Sequence, residues 1–123
     1  MRDLELIVVE DDPMAQTIYI DALTGTGCHA SFCSTVSSAL NLASTINPDV
    51  IIMDLGLPDG SGVDAIKKIT SAGLCSNILV ATASQKIAEH QAAMDAGADL
   101  VLVKPIDQDE LHRRILSFSG SAN

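Results

Sequence analysis

Val50-Ile51-Ile52-Met53-Asp54-Leu55-Gly56-Leu57-Pro58-Asp59-Gly60 is the stretch that decides the fold. Its first four residues are apolar without interruption and three are β-branched, the pattern of a strand buried on both faces of a parallel sheet. The segment beyond Asp54 is turn chemistry built on Gly56, Pro58 and Gly60. Asp54 sits at the junction. Parallel α/β sheets open their binding crevices at the carboxyl ends of their strands, so an Asp there is placed for chemistry rather than for filling a core.

Outward from this stretch, strands and helices alternate five times. Leu4 to Val9 reads as the first strand, and Pro13, suited to the first helical position, opens a helix that ends near Gly25 or Gly27. A weaker strand covers about His29 to Cys33. The next helix carries Val36, Ala39, Leu40, Ala43 and Ile46 on one face, with Ser34 or Thr35 as N-cap and Asn47-Pro48 as its stop. The third strand ends at Asp54. Val63, Ile66 and Ile69 mark a third helix closed by Gly73, and Asn77 to Ala81 is the fourth strand. A fourth helix runs from about Gln85 to Ala96 and stops at Gly97; Leu100 to Val103 is the fifth strand. Leu111, Ile115 and Phe118 line a last helix, with Asp109 and Glu110 in its first turn and Arg113 and Arg114 near its end, as the macrodipole favours. Ser117 to Asn123 is small and polar, and is expected to fray as a tail or linker.

The composition fits one domain spanning residues 1–123, a size that buries roughly two-thirds of the surface its unfolded chain exposes. Tyr19, Phe32 and Phe118 are the only aromatics, so the core must be aliphatic and alanine-rich. A formal net charge of −9 argues against gripping nucleic acid or an anionic membrane directly. Cys28, Cys33 and Cys75 form no C-x-x-C pair and read as buried thiols in a reducing cytosol, so a cytoplasmic location is expected. No segment approaches 18 consecutive apolar residues.

A (βα)₅ alternation with buried strands implies one doubly wound α/β parallel sheet, with the flavodoxin-like order 2-1-3-4-5 and its switch point between strands one and three. That geometry brings Glu10-Asp11-Asp12, Asp54, Ala81-Thr82-Ala83-Ser84 and Lys104-Pro105 to one sheet edge. Each has a plain structural reading. Asp11 or Asp12 before Pro13 could cap a helix, Asp54 could form a turn, and Thr82 could bond its own backbone. The joint delivery of acids, a hydroxyl and one lysine from four strands of an aliphatic sheet favours a site.

From about Leu4 to Leu116 the chain resembles the receiver domain of bacterial two-component response regulators, on five pieces. They are Val8-Val9-Glu10-Asp11-Asp12-Pro13, Ile52 through Gly62, Ala81-Thr82-Ala83, Gly97-Ala98-Asp99 and Val103-Lys104-Pro105. The resemblance implies that Asp54 accepts a phosphoryl group from a histidine kinase or a histidine phosphotransfer protein. It makes Glu10 and Asp11 the metal-binding acid pair. Asp11 and Asp54 would bind Mg²⁺ (Mn²⁺ being the alternative) directly, the Gly56 carbonyl would be a third protein ligand, and Glu10 would act through a water. A hard cation with oxygen ligands suits such a set. Without it, three close carboxylates repel one another. Lys104 would contact the phosphoryl oxygens. Thr82, with the backbone amide near Ala83, would turn inward toward them.

Movement of Thr82 would pull the loop before the fourth helix, whose Ala88, Ala92, Ala93 and Ala96 anchor it thinly, so that helix, the fifth strand and the fifth helix are expected to form the output face. One departure stands out: the family usually places an aromatic three residues before the lysine, and here that residue is Val101. In that family the positions held here by Gly56 and Ser84 tune hydrolysis of the acyl phosphate. His29, His90 and His112 show no acid partner at ligand spacing, and Tyr19 reads as packing. Among rival functions, a phosphatase of the haloacid dehalogenase type needs a second Asp two residues after the nucleophile, where this chain has Gly56. A phosphorylation-independent pseudo-receiver would have lost an acid or the lysine, and all are present. The chain is therefore expected to be a signalling phosphoacceptor rather than a turnover enzyme. With no effector domain after the fifth helix, it would act through a downstream protein partner or be joined to a covalently linked effector.

Overall fold

A computed structural model describes residues 4–75 and 77–120. Its elements are β1 (Glu5–Val9), α1 (Pro13–Leu23), β2 (His29–Cys33), α2 (Val36–Ile46), β3 (Val50–Met53), β4 (Gly56–Leu57), β5 (Gly60–Ser61), α3 (Gly62–Ser71), β6 (Ile78–Thr82), α4 (Ile87–Ala96), β7 (Leu100–Val103) and α5 (Gln108–Gly120). Five parallel strands form one sheet in the order β2-β1-β3-β6-β7, while β4 and β5 pair as a small antiparallel hairpin. Counted without that hairpin, the order is the expected 2-1-3-4-5.

Side chains alternate across the sheet and divide the core in two. Ile7, Val9, Ile51, Met53, Ile78 and Val80 pack under α2, α3 and α4; Leu6, Val8, Val50, Ile52, Leu79 and Ala81 pack under α1 and α5. Central strands apolar on both faces follow from this double covering. Burial of Leu111 and Ile115, both fully enclosed, contributes about 1.5–3 kcal/mol each and docks α5. Among the described residues, no helix is long and apolar enough to cross a membrane.

The helix starts show which acid or hydroxyl does the capping. Asp12 Oδ1 accepts from the Met14 amide at 3.1 Å, so Asp12 caps α1 and Asp11 is left for other work. Thr35 rather than Ser34 caps α2, through a reciprocal box with Ser38. Asp59, in the turn of the β4–β5 hairpin, also accepts from the Val36 and Ser37 amides at 2.7 and 3.1 Å.

Several expectations are corrected. Thr82 is the last residue of β6 rather than a residue beyond it, and α4 begins at Ile87 instead of Gln85 because Lys86 holds the extended conformation of an N-cap. α5 is helical past Ser117. It continues to Gly120, with Phe118 packed on the α1–α5 core; residues 121–123 of the expected tail lie outside the described residues. Arg113 and Arg114 therefore sit in mid-helix, where Arg114 pairs with Glu110 at 3.6 Å. Cys75 is buried, but Cys28 and Cys33 are only half-buried at the ends of β2 near the sheet's edge. His29 does meet an acid: parallel register sets it beside Glu5, with Nδ1 3.7 Å from Oε1.

Candidate functional site

Past the carboxyl ends of the strands, ladder bonds continue for one residue and pin the site's backbone. The Glu10 amide donates to the Cys33 carbonyl at 2.9 Å, the Asp54 amide to Val9 at 3.1 Å, and the Lys104 amide to Thr82 at 2.7 Å. Strand alternation then sorts the side chains. Glu10, Asp54 and Lys104 continue the parity of Val8, Ile52 and Leu102, whereas Thr82 shares the parity of Val80 and Val101 on the α4 side.

The three acids converge. Glu10, Asp11 and Asp54 each offer a carboxylate oxygen, and these lie within 4.8 Å of one another. Lys104 Nζ stands 2.5 Å from Glu10 Oε1 and 3.6 Å from Asp54 Oδ2. Their exposures differ sharply. Glu10 is 1% exposed, Asp54 is half-buried and Asp11 faces solvent. Glu10 Oε2 accepts from the Asp12 amide at 3.2 Å, and Gln16 Nε2 donates to the Glu10 carbonyl at 2.6 Å. Gln16 is a supporting residue that sequence reasoning missed; its only signal is helical spacing after Asp12.

Burial pushes the Glu10 carboxyl above its ordinary range, by more than the Lys104 and Asp12 hydrogen bonds pull it down, and the Asp54 charge adds to the rise. Burial pulls Lys104 down, but Glu10 and Asp54 outweigh it and hold the ammonium above its usual value. Three acids face one lysine, so the site is short of positive charge. Tyr19, buried behind it, has its hydroxyl pushed up by burial and by the charges of Glu10 and Asp54. It packs with the α1–α5 core, as read from sequence.

Thr82, 3% exposed, accepts at Oγ1 from the Ser84 amide at 3.1 Å. Ala83 is exposed beside it, and Gly56 is exposed beyond Asp54, with its amide 3.4 Å from Asp54 Oδ1. Val101 pairs with Val80 in the ladder and packs toward α4. His90 lies near this edge, with Nε2 2.7 Å from the Ser84 carbonyl. An apolar groove of about 580 Å³ opens next to Lys104, lined by Met14, Ile18, Pro105 and Ile106.

The model of the response regulator receiver domain matches residues 6–116. The chain belongs to that family. A receiver domain of this kind is the phosphoacceptor module of two-component signalling, and the family binds Mg²⁺ at an acidic pocket such as the one formed here. Among curated relatives, the chain is 36% identical over 110 residues to the KDP operon transcriptional regulatory protein KdpE of Escherichia coli K12, covering 89% of this chain and 48% of that protein. It is 40% identical over 78 residues to the response regulator protein PmrA of Pseudomonas aeruginosa, covering 63% of this chain and 35% of that one. The receiver thus spans about half the length, or less, of the curated relatives it matches. Among solved structures, the signal receiver domain of a LuxO-type repressor from Vibrio parahaemolyticus superposes with a TM-score of 0.91 at 25% identity, over 99% of this chain and 93% of that one. The receiver domain of the sensor histidine kinase PA1611 of Pseudomonas aeruginosa PAO1, solved with magnesium in its active-site cleft, matches at 0.86 and 28%, over 96% and 98%.

Proposed function

We propose that this receiver accepts a phosphoryl group on Asp54 from a phosphohistidine of a histidine kinase or histidine phosphotransfer protein. The observation that carries this reading is the meeting of Asp54 with Glu10, Asp11 and Lys104 at one sheet edge. An Asp54 oxygen forms the bond to phosphorus as the phosphorus–nitrogen bond breaks, and the imidazole nitrogen keeps the electron pair. Such transfer is mainly positioning and charge neutralisation.

The donor set is all oxygen and rich in carboxylate, which suits Mg²⁺, with Mn²⁺ as substitute. Asp11 and Asp54 would hold the ion directly, the Gly56 carbonyl would add a third protein ligand, and the deeper Glu10 would act through a water. When bound, the cation neutralises acid charge and the phosphoryl oxygens. With Lys104, its two charges balance three carboxylates. Lys104 supplies a mobile ammonium to the incoming oxygens, and Thr82 and the Ala83 amide donate to them. Gly56 leaves no second acid to protonate a leaving group, so the domain is a phosphoacceptor rather than a turnover enzyme.

The apolar residues Met14 and Ile18, exposed beside the groove, flank the approach to Asp54 for the histidine-bearing partner. Ile87, Met94 and Val103 are exposed on α4 and β7, and with α5 they would make the output face for a downstream protein or a linked effector domain. A charge of −9 leaves no role for this domain in direct nucleic-acid contact. Three free cysteines fit a cytoplasmic setting.

The test is incubation with Mg²⁺ and acetyl phosphate, or a beryllofluoride mimic, with phosphate incorporation and solution mass as readouts. Wild type should label and Asp54→Asn should not. Labelling that survives Asp54→Asn unchanged would sink the proposal. Dimerisation on activation points to an output like that of a transcription factor, and a persistent monomer to an adaptor or phosphate shuttle.

A further inference from the structure

Anchorage of α4 is uneven. Its buried residues, Ala93 and Ala96, both lie in the C-terminal half. That end is locked to α3. Thr70 Oγ1 donates to the Ala96 carbonyl at 3.0 Å, and Gly97 packs so closely that a Cβ there would stand 2.6 Å from Thr70 Cγ2. The N-terminal half buries no residue, Ile87 is 81% exposed, and Lys86 provides no side-chain cap.

Ser84 holds that loose end. Its hydroxyl donates to Glu89 Oε2 and accepts from the Lys86 amide at 3.2 Å. Its carbonyl faces His90 Nε2 at 2.7 Å, which requires the tautomer or charge state that donates from Nε2. Its amide donates to Thr82 Oγ1 at 3.1 Å. One residue thereby joins the candidate switch hydroxyl to two side chains in the first turn of α4. From the neighbouring strand, Val101 offers no ring to do this work.

We propose that Ser84, Glu89 and His90 form a polar clasp that transmits the state of Thr82 to the N-terminal half of α4. The inference rests on Thr82 being the hydroxyl that meets the phosphoryl group. If Thr82 turns toward Asp54, the Ser84 amide either loses its acceptor or follows it. Following either breaks the bonds to Glu89 and His90 or carries them along. Each such bond is worth a factor of about five in an equilibrium. Moving the helix end uncovers no buried side chain, so carrying it is the cheaper course. Glu89 and His90 are positioning residues, since neither touches the reacting atoms.

Residue-resolved amide exchange and NMR shifts on the full chain test the clasp, comparing wild type, the double variant Glu89→Ala/His90→Ala, and Glu89→Gln, which keeps an acceptor for Ser84. In the resting protein, exchange at positions 90 and 91 should quicken about 25-fold in the double variant, a factor of about five for each bond removed, while α3 is unchanged. With Mg²⁺ and beryllofluoride, wild type and Glu89→Gln should shift from Thr82 through Gln91. The double variant should respond at Asp54, Thr82 and Lys104 but not along Ile87 to Gln91. Wild-type exchange in the double variant, or an α4 response equal to wild type, would overturn the clasp. Silence at Asp54 in wild type would instead overturn the phosphoacceptor reading, and the exchange comparison would still decide the clasp.

Discussion

Gly62→Ala is the substitution that most directly probes how the fold holds Asp54. Gly62 begins α3 and is buried, and its amide donates to the Leu55 carbonyl at 2.8 Å. A Cβ built there would stand 2.3 Å from the Asp54 carbonyl oxygen and 2.8 Å from Leu55 Cα. Ordinary contact begins at 3.4 Å, so something must yield by about 1.1 Å, the difference between 3.4 and 2.3 Å. Both obstacles are backbone atoms, and no flexible side chain can swing aside. Overpacking costs about 1–3 kcal/mol, and rigid obstacles place this change near 3 kcal/mol. The displacement falls on Asp54, the proposed phosphoacceptor, and a misplacement of about 1 Å can cost on the order of 10²-fold in rate.

Urea unfolding and labelling by acetyl phosphate read the two consequences separately. The internal control is Gly56→Ala, where a Cβ would meet nothing within 4 Å and the backbone carbonyl is kept. Gly62→Ala should lose about 3 kcal/mol and label at least 10²-fold more slowly, while Gly56→Ala stays within about 1 kcal/mol of wild type. A Gly62→Ala protein as stable as Gly56→Ala and labelled at the wild-type rate would refute the claim that close packing of α3 against the Asp54 backbone fixes the site.

Divalent cation should stabilise the protein by about 2.7 kcal/mol at a concentration 100-fold above its Kd, measured by urea unfolding with Mg²⁺ against a chelator, and Asp11→Asn should remove most of that gain. Asp59 accepts two amides at the start of α2, which hold its carboxyl below the ordinary range. Its contribution is complete above the unfolded value of about 3.9 and is lost as pH falls through the folded value. Asp59→Ala should therefore be less stable at neutral pH, with a shallower decline below about pH 5 in thermal melts across pH. Ile115→Ala, at a fully buried position, should cost about 2–5 kcal/mol in urea, whereas Ile87→Ala on the exposed face of α4 should stay within about 0.5 kcal/mol.

The sheet was legible because burial on both faces writes itself as uninterrupted apolar runs, and Val50 to Met53 is the plainest of them. The acid cluster was legible because the strand order dictates which loop ends meet. The features that escaped reading had no periodicity to carry them. The β4–β5 hairpin has two residues per strand, too few to show alternation. The α5 extension to Gly120 runs through Ser and Gly of poor helix propensity, and Phe118 packing on the core overrides that preference. Asp59 holding the start of a helix well before it in the chain, and Glu89 and His90 reaching back to Ser84, are contacts made by tertiary placement. No local pattern announces them. The same holds for the ranking of the acids: Glu10, Asp11 and Asp12 look alike in sequence, yet one is buried under Lys104, one faces the cluster and one caps α1.

That ranking bears on what activation requires. Lys104 is shared between a buried Glu10 at 2.5 Å and a shallower Asp54 at 3.6 Å. Phosphorylation would replace the single charge of Asp54 with about −1.5 to −2, drawing the ammonium toward the new oxygens. Glu10 would then keep only the Asp12 amide as a strong donor, and a buried carboxylate with one amide for company is a costly arrangement. The burial that pushes Glu10 upward in the resting site would count for more once Lys104 leaves. A cation beside Glu10 would offset that cost after transfer as well as during it. On the proposed reading the buried Glu10, closer to Lys104 than Asp54 is, would oppose the lysine's release.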